Sequence, residues 1–494
     1  MIAYKKLIFE LSKEDRVGYS LPPSRFTDYS IEDLSNSFKR ESDLLLPEVS
    51  ELDVLRHFTN ISNKNFGVEN GFYPLGSCTM KYNPKINEEI ASLRAFRRLH
   101  PLQPISTVQG ALKVYYELQK ILSEVSGLHE FTLNSYAGAH GELVGLMVIK
   151  KYHEANQDFK RNKIIIPDSA HGTNPASVVV CGMEVIEIKS NERGRVSIDA
   201  LKEAVKDRDD IAGMMLTNPN TLGIFEDDIC EITKIIHQAG GLMYYDGANL
   251  NALLGKVRPG DMGFDVMHIN LHKTFSTPHG GGGPGSGPVG VTKELAEYLP
   301  NPRIKKIEDH YYIENNGDAI GQISGFYGNY MIALRAYVYL LTLGKENIKL
   351  IGPYATLNAN YIKEQLKSLY QLPIDGNCMH EVVFNGLVDK DTEVKTLDIA
   401  KRLLDYGMHA PTIYFPLLFP QAIMIEPTET ESLQTMDEFI SVMKDIAIEA
   451  KEHPERLKEA PTKTPIRRTD EVFAAKEMIF SYKDYLEYRE KREE

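Results

Sequence analysis

Cysteine is scarce in this chain: four in 494 residues, Cys78, Cys181, Cys230 and Cys378. They are widely scattered and no two form a CxxC pair, so no cysteine-based metal site is expected. The pattern predicts reduced, mostly structural thiols in a cytoplasmic protein, with Cys78 set apart by its neighbours. No apolar run reaches the roughly 18 residues that a membrane-crossing helix needs. The first residues, Met1-Ile2-Ala3-Tyr4-Lys5-Lys6, lack an apolar core followed by a small-residue cleavage site, so no secretory signal is expected. Positive charge is also in deficit. Fifty-six basic residues against 69 acidic ones give a net charge of −13, which argues against a general nucleic-acid surface and says nothing about fold.

Hydrophobic residues make up 42% and charged residues 25%, as in an ordinary soluble globular protein. The length predicts a large domain with at least one smaller one. Turn formers crowd the first hundred or so residues: Pro22-Pro23, Asn60, Asn63, Asn65, Gly67, Asn70-Gly71, Pro74 and Gly76. That stretch is expected to be an irregular arm lining a site. From Thr107 onward Leu112, Tyr115, Leu118, Leu122 and Val125 follow helical spacing, with Gly127 as a stop. Strand-like runs follow at 163–166, 184–188, 213–216, 242–245, 266–270 and 288–291, with helix-like stretches at 141–153, 198–205 and 230–239. Alternation of this kind predicts an α/β fold, a mostly parallel central sheet with helices on both faces. After Leu343-Gly344 the pattern becomes α+β, helix-like at 354–370 and 435–449 and strand-like at 381–384. The expected division is an N-terminal arm and active-site loop over 1–105, a large α/β domain over 106–343, and a small C-terminal α+β domain over 344–494. Its charged tail, from Asp470, is expected to be a solvated helix.

Asn270-Leu271-His272-Lys273-Thr274-Phe275 closes one apolar run in a lysine, and Tyr244-Tyr245-Asp246-Gly247-Ala248 closes another in an aspartate. A lysine at the end of an apolar strand is unusual, because an unpaired buried ammonium is costly. Together the two residues suit pyridoxal phosphate: a lysine amine holds the aldehyde as a Schiff base, and a carboxylate keeps the ring nitrogen protonated so that the ring accepts electrons. Taken singly, each has a plainer reading: a surface lysine in a turn, and a helix-cap aspartate. His171, in Asp168-Ser169-Ala170-His171-Gly172-Thr173-Asn174-Pro175, is read as an imidazole stacked on the cofactor ring, or more plainly as a capping or core histidine. Ser135-Tyr136-Ala137-Gly138-Ala139-His140-Gly141 leads into a helix whose small residues leave amides free for a phosphate. Tyr73-Pro74-Leu75-Gly76-Ser77-Cys78-Thr79-Met80-Lys81 is read as a substrate-side loop.

Gly280, Gly282 and Gly285 formally satisfy GxGxxG. A dinucleotide site would need a helix to open there, whereas Pro284 and Pro288 flank the run and the next segment is strand-like. The run is therefore read as a flexible or tight connection behind the lysine, and a nicotinamide dehydrogenase is a minor alternative.

These stretches together resemble the P-protein of the glycine cleavage system, the pyridoxal-phosphate-dependent glycine decarboxylase. The resemblance is nearest to the cofactor-carrying second subunit of its two-subunit form. The matching words are Leu75-Gly76-Ser77-Cys78-Thr79-Met80-Lys81, Ala170-His171-Gly172-Thr173-Asn174-Pro175-Ala176, Tyr245-Asp246-Gly247-Ala248-Asn249 and Asn270-Leu271-His272-Lys273-Thr274-Phe275. Further similar words are Met379-His380-Glu381 and Ile425-Glu426-Pro427-Thr428-Glu429-Thr430. The resemblance implies a transferase of fold type I and an aminomethyl-transferring oxidoreductase. It implies Lys273 as the Schiff-base lysine, Asp246 on the pyridinium, His171 on the ring and the Ala137-Gly138-Ala139 loop on the phosphate. Ala248, His272 and Thr274 complete the expected cofactor contacts, and Ser324-Gly325-Phe326-Tyr327-Gly328-Asn329 would be a second phosphate-side element. The implied partners are glycine, a lipoylated H-protein and a homologous first subunit in an α2β2 assembly. Another enzyme of the same fold, an amino-acid decarboxylase or aminotransferase, is the alternative. A non-catalytic partner subunit is a third reading, against which Lys273 and Asp246 speak. Charge alone nominates Arg467 and Arg468 for the glycine carboxylate.

Overall fold

The computed structural model describes residues 4–20, 22–23, 25, 30–42, 44–280 and 285–493. Leu21 in the arm, and Gly281 to Pro284 within the glycine run, lie outside the described residues.

The chain forms two compact units, Met1–Gly67 with Ala460–Glu494, and Val68–Glu459. In the first, the turn-rich arm contains a helix that its composition conceals, Glu51–Ser62. Ser50 starts it: the Asp53 amide donates to the Ser50 hydroxyl, and the Ser50 amide donates back to the Asp53 carboxylate. This reciprocal cap satisfies amides that the first turn leaves open. The tail forms two helices, Glu471–Lys476 and Tyr482–Glu493, and Tyr482 stacks on Phe9 with ring centroids 4.3 Å apart.

The second unit is built on a seven-stranded sheet. Its strands are β1 (Glu130–Thr132), β2 (Lys163–Pro167), β3 (Glu184–Ile188), β4 (Ile211–Thr217), β5 (Leu242–Gly247), β6 (Val266–Ile269) and β7 (Val289–Val291), in the order β1-β7-β6-β5-β4-β2-β3. The β6-β5-β4-β2-β3 pairings are parallel, while β7 runs antiparallel to both β6 and β1. Every residue of β4 is buried, as a strand covered on both faces requires. Alternation sends Met214, Leu216, Met243, Tyr245 and Met267 into one core, and Ile164, Ile166, Met215, Tyr244 and Val266 into another.

All six strand-like runs are strands. The run at 266–270 stops at Ile269, where Asn270 begins the turn that carries the lysine. The helix expected at 141–153 starts earlier, at Gly138. That expected at 354–370 spans Ile351–Leu366, with Pro353 in its first turn, where no helical amide partner is lost.

A hairpin of β8 (Arg303–Ile307) and β9 (His310–Glu314) follows. Beyond it, β10 (Val382–Asn385), β11 (Thr412–Ile413) and β12 (Ala422–Ile425) form an antiparallel sheet in the order β10-β12-β11. Helices Ile351–Leu366, Thr396–Asp405 and Leu433–Glu452 cover it over a separate core around Tyr370, Phe384 and Phe439. Phe72 inserts into this smaller core, edge-on to Phe439 at 5.0 Å, and Leu75 bridges to Ile425 of β12. Both contacts aim the following residues, 76–81, back toward the large sheet.

Candidate active site

The site forms past the ends of β5 and β6, where ligands of parallel sheets bind. Parallel register sets Asp246 opposite His268. The His268 Nε2 lies 3.4 Å from Asp246 Oδ1, and its Nδ1 pairs with the Tyr244 hydroxyl at 2.8 Å. Asn174 donates its amide to Asp246 Oδ2 at 2.9 Å, and the Ala248 backbone donates to Oδ1 at 3.0 Å. Burial pushes this carboxyl up, but His268, these two donors and Lys273 outweigh it, and Asp246 is held below the usual carboxylate range. It is a charged carboxylate at neutral pH.

Lys273 sits in the turn after β6, its amide donating to the Asn270 carbonyl. Its Nζ donates to the Ser77 carbonyl at 2.6 Å. The next carbonyl, that of Thr274, accepts from Lys81 Nζ at 2.9 Å. His272 and His279 meet edge-to-face beside the lysine, with centroids 5.1 Å apart. Burial drives their imidazoles down to about 3 and about 4, so both stay neutral. Burial also raises the Cys78 thiol, so it is not an activated thiolate at neutral pH.

Helix Gly138–Ala155 opens at the site with Ala137 as an extended N-cap and no side-chain cap. Its first amides are therefore available to an anion. A Cβ at 138 would stand 2.3 Å from Asn270 Oδ1 and would force that side chain to move. His171 Nδ1 pairs with the Thr173 hydroxyl at 2.9 Å, which in turn donates to Glu142 at 2.8 Å.

A cavity of about 190 Å³ gathers most of the expected residues. Lys273, Asp246, His171, Gly138, Ala139, Ala248 and His272 line it, as do Ser77, Glu142 and His268. Ala137 and Thr274 do not: Ala137 is the helix cap, and Thr274 is buried behind the lysine turn. The Ser324–Asn329 segment lies beside the same helix start, where the Gly325 amide donates to the Tyr136 hydroxyl and the Asn329 side chain to the Gly285 carbonyl. No arginine lines the cavity among the described residues. Arg467 and Arg468 belong to the other compact unit and donate to the Pro461 and Ala460 carbonyls. A larger cavity of about 380 Å³ lies elsewhere. Its Arg195 and Lys363 are already paired with Asp227 and Glu364, and neither Lys273 nor Asp246 lines it.

Sequence reasoning gave no role to His268, Glu142 or Asn174. A histidine inside the apolar run Val266-Met267-His268-Ile269 was the one available signal, since such a side chain needs a buried partner. Glu142 and Asn174 became visible only when helices Gly138–Ala155 and Thr173–Val180 packed together, so that both the Asn174 and Ser177 side chains reach Glu142.

This is the α/β architecture of fold-type-I pyridoxal-phosphate enzymes. Among solved structures, a glycine decarboxylase (P-protein) of the glycine cleavage system in inhibitor-bound form superposes with a TM-score of 0.71 at 18% identity, over 84% of this chain and 95% of that one. A Lactobacillus brevis glutamate decarboxylase superposes with a TM-score of 0.63 at 14% identity, over 85% and 97%. At these identities the likeness is one of fold. Sequence goes further. The profile of the glycine cleavage system P-protein matches residues 24–310, and that of the glycine dehydrogenase C-terminal domain matches 352–469. The chain is 58% identical over 481 residues to a probable glycine dehydrogenase (decarboxylating) subunit 2 of Caldanaerobacter subterraneus, covering 97% of this chain and 99% of that one. It is 56% identical to the same-named protein of Bacillus cereus, covering 96% and 97%. The chain belongs to the glycine cleavage system P-protein family.

Proposed function

We propose that this chain is the cofactor-carrying subunit of a glycine decarboxylase that releases CO2 from glycine and passes the remaining aminomethyl group to the lipoyl arm of an H-protein. The observation that carries this reading is that Lys273 and a charged, buried Asp246 line one cavity, in a chain 58% identical to a probable glycine dehydrogenase (decarboxylating) subunit 2 over nearly its whole length.

The residues fit pyridoxal phosphate. An uncapped helix start faces the cavity at Gly138 and Ala139, and the Asn270 Oδ1 beside it is buried without a hydrogen-bond partner. When bound, the cofactor supplies an electron sink for the pair released as the Cα–carboxylate bond breaks. Lys273 would hold its aldehyde covalently. As a free amine, positioned by the Ser77 carbonyl, Lys273 would be able to accept or return a proton. Asp246 would face the ring nitrogen and keep it protonated, and His268, Asn174 and Ala248 hold that carboxylate charged and oriented. The first amides of helix Gly138–Ala155 would take the phosphate, and His171 the ring face. Neutral His272 and His279 add no second fixed cation beside Lys273.

The same reading divides the chain into arm, large domain and small domain near residues 105 and 343. It places the protein in the cytoplasm, where its four free thiols stay reduced, and it pairs the chain with a homologous first subunit as α2β2.

The test is CO2 release from glycine by the purified chain with pyridoxal phosphate, assayed with and without the first subunit and lipoylated H-protein. Release that requires both partners is expected. Equal or faster decarboxylation of another amino acid, independent of H-protein, overturns the assignment in favour of an ordinary amino-acid decarboxylase.

A further inference from the structure

Three glutamates from the end of the chain's smaller core meet alternate residues of the loop over the lysine. The Ser77 amide donates to Glu381 Oε2 at 2.8 Å. The Thr79 amide and hydroxyl donate to Glu426 at 2.9 and 2.5 Å. Lys81 Nζ pairs with Glu429 at 2.6 Å. Between these anchors Ser77 and Thr79 hold φ of 64° and 46°, left-handed values that persist only where the surroundings impose them. The loop's other side reaches the reactive lysine: the Ser77 carbonyl takes its Nζ, and Lys81 holds the Thr274 carbonyl next to it.

We propose that Glu381 and Glu426 are positioning residues for the chemistry at Lys273. They act through the 76–81 loop and carry one proton as a pair. The inference rests on Lys273 being the cofactor lysine.

The single proton follows from the surroundings. Glu381, Glu426 and His380 are all buried, with their nearest side-chain donor and acceptor atoms within 4.8 Å of one another. Among the described residues, no lysine or arginine lies within ion-pair distance of either carboxylate. Burial outweighs the pull of the Lys273 charge on both carboxyls and of the Lys81 charge on Glu426, and two buried negative charges so close are strongly unfavourable. His380 supplies no counter-charge, since burial lowers its imidazole to about 3. Burial raises both carboxyls, and Glu381 well above the usual range. Glu426, which takes two donors from Thr79, keeps the charge. Glu381, whose Oε1 has no hydrogen-bond partner and faces the neutral His380 Nε2 at 3.6 Å, keeps the proton. A single amide donor from Ser77 to Oε2 is compatible with the neutral acid.

The experiment compares Glu381→Ala, Glu426→Ala and Glu381→Gln in the full chain. Without cofactor, hydrogen–deuterium exchange is read on the peptide spanning residues 75–82. With pyridoxal phosphate, the readouts are the pH midpoint of the visible band and the site of the borohydride-trapped adduct. Both alanine variants are expected to exchange at least about tenfold faster in that peptide and to displace the band's pH midpoint. Glu381→Gln, which keeps an acceptor for Ser77 and carries no charge, is expected to retain the parent's exchange and midpoint. Parent-like alanine variants overturn the positioning role, and a glutamine variant as loose as alanine overturns the single proton. Should the alanine variants fail to fold, Glu381→Gln and Glu426→Gln decide alone: the first is expected to match the parent and the second to shift the midpoint. A stoichiometric metal ion in the purified protein, lost in Glu381→Gln, overturns the carboxyl pair altogether. An adduct away from Lys273 in the parent refutes the cofactor assignment, whereas the cofactor-free exchange tests the loop clamp separately.

Discussion

The imidazole of His268 and the carboxylate of Asp246 face each other from adjacent parallel strands, 3.4 Å apart and both almost wholly buried. That relation makes the aspartate usable. A buried carboxylate without partners takes up a proton, and a neutral acid could not hold a ring nitrogen protonated. His268 is in turn fixed by the Tyr244 hydroxyl, which also reaches the Gly141 carbonyl in helix Gly138–Ala155. The start of helix Gly138–Ala155 and the Asp246 carboxylate are thereby tied into one hydrogen-bonded frame.

Removing His268 should therefore disturb more than one contact. His268→Phe leaves Asp246 and Tyr244 each short of a buried partner, at a cost of about 1–3 kcal/mol. The expected outcome is a lower thermal midpoint together with weaker cofactor binding, read by melting and by titration of the visible band. Parent-like values in both would show that Asn174 and Ala248 suffice.

Asp246→Asn should keep the fold and retain some cofactor while slowing decarboxylation by about 10²-fold or more, the scale of losing one preorganised electrostatic group. Single-turnover CO2 release checks this. A near-normal rate would mean that another group protonates the ring. Lys273→Ala should abolish turnover, and no borohydride adduct should form at position 273.

Gly138→Ala would press a methyl group to within 2.3 Å of Asn270 Oδ1 at the phosphate end, whereas a Cβ on Gly172 meets nothing within 4 Å. The first substitution should raise the cofactor's dissociation constant by about tenfold or more, and Gly172→Ala should leave it nearly unchanged. Equal effects would remove the helix start from the phosphate site.

Stability should carry a signature of Glu226, whose carboxyl burial pushes up to about 7. Its oxygens accept from the Val196 amide and the Asn220 side chain, in the segment leading from β4 toward β5. A folded-state value above the unfolded one means that the contribution is full below about pH 4.5 and is lost as pH rises through about 7. Glu226→Gln should therefore flatten the pH dependence of stability in that window, by an amount on the order of 3 kcal/mol. Denaturant midpoints of parent and variant across that range test it. Parallel curves would show that the group is ionised throughout.

Strands β2, β4 and β5 were legible because each carries a continuous apolar run, whereas the three-residue β1 was not read. Complete burial of β4 leaves one kind of residue acceptable on both faces, so 213–216 reads as a strand, although the strand itself runs from Ile211 to Thr217. Lys273 and Asp246 were legible for the converse reason: each is a charge at the end of such a run, where charge is expensive. The helix Glu51–Ser62 was hidden, because its only marks were the Ser50 and Asp53 cap amid turn formers and a chain of mostly exposed apolar residues.

Sequence by itself determined the alternation of strands and helices, the strand ends at which a site must lie, and the lysine and aspartate that stand there. These follow from local periodicity and from the cost of burying charge. Only the tertiary structure decided what surrounds them. Glu381 and Glu426 reach Ser77 and Thr79 across 304 and 347 residues of chain, and the His268–Asp246 contact exists only because β5 and β6 pair in one particular register. Long-range contacts of this kind depend on register and packing, which no local pattern encodes.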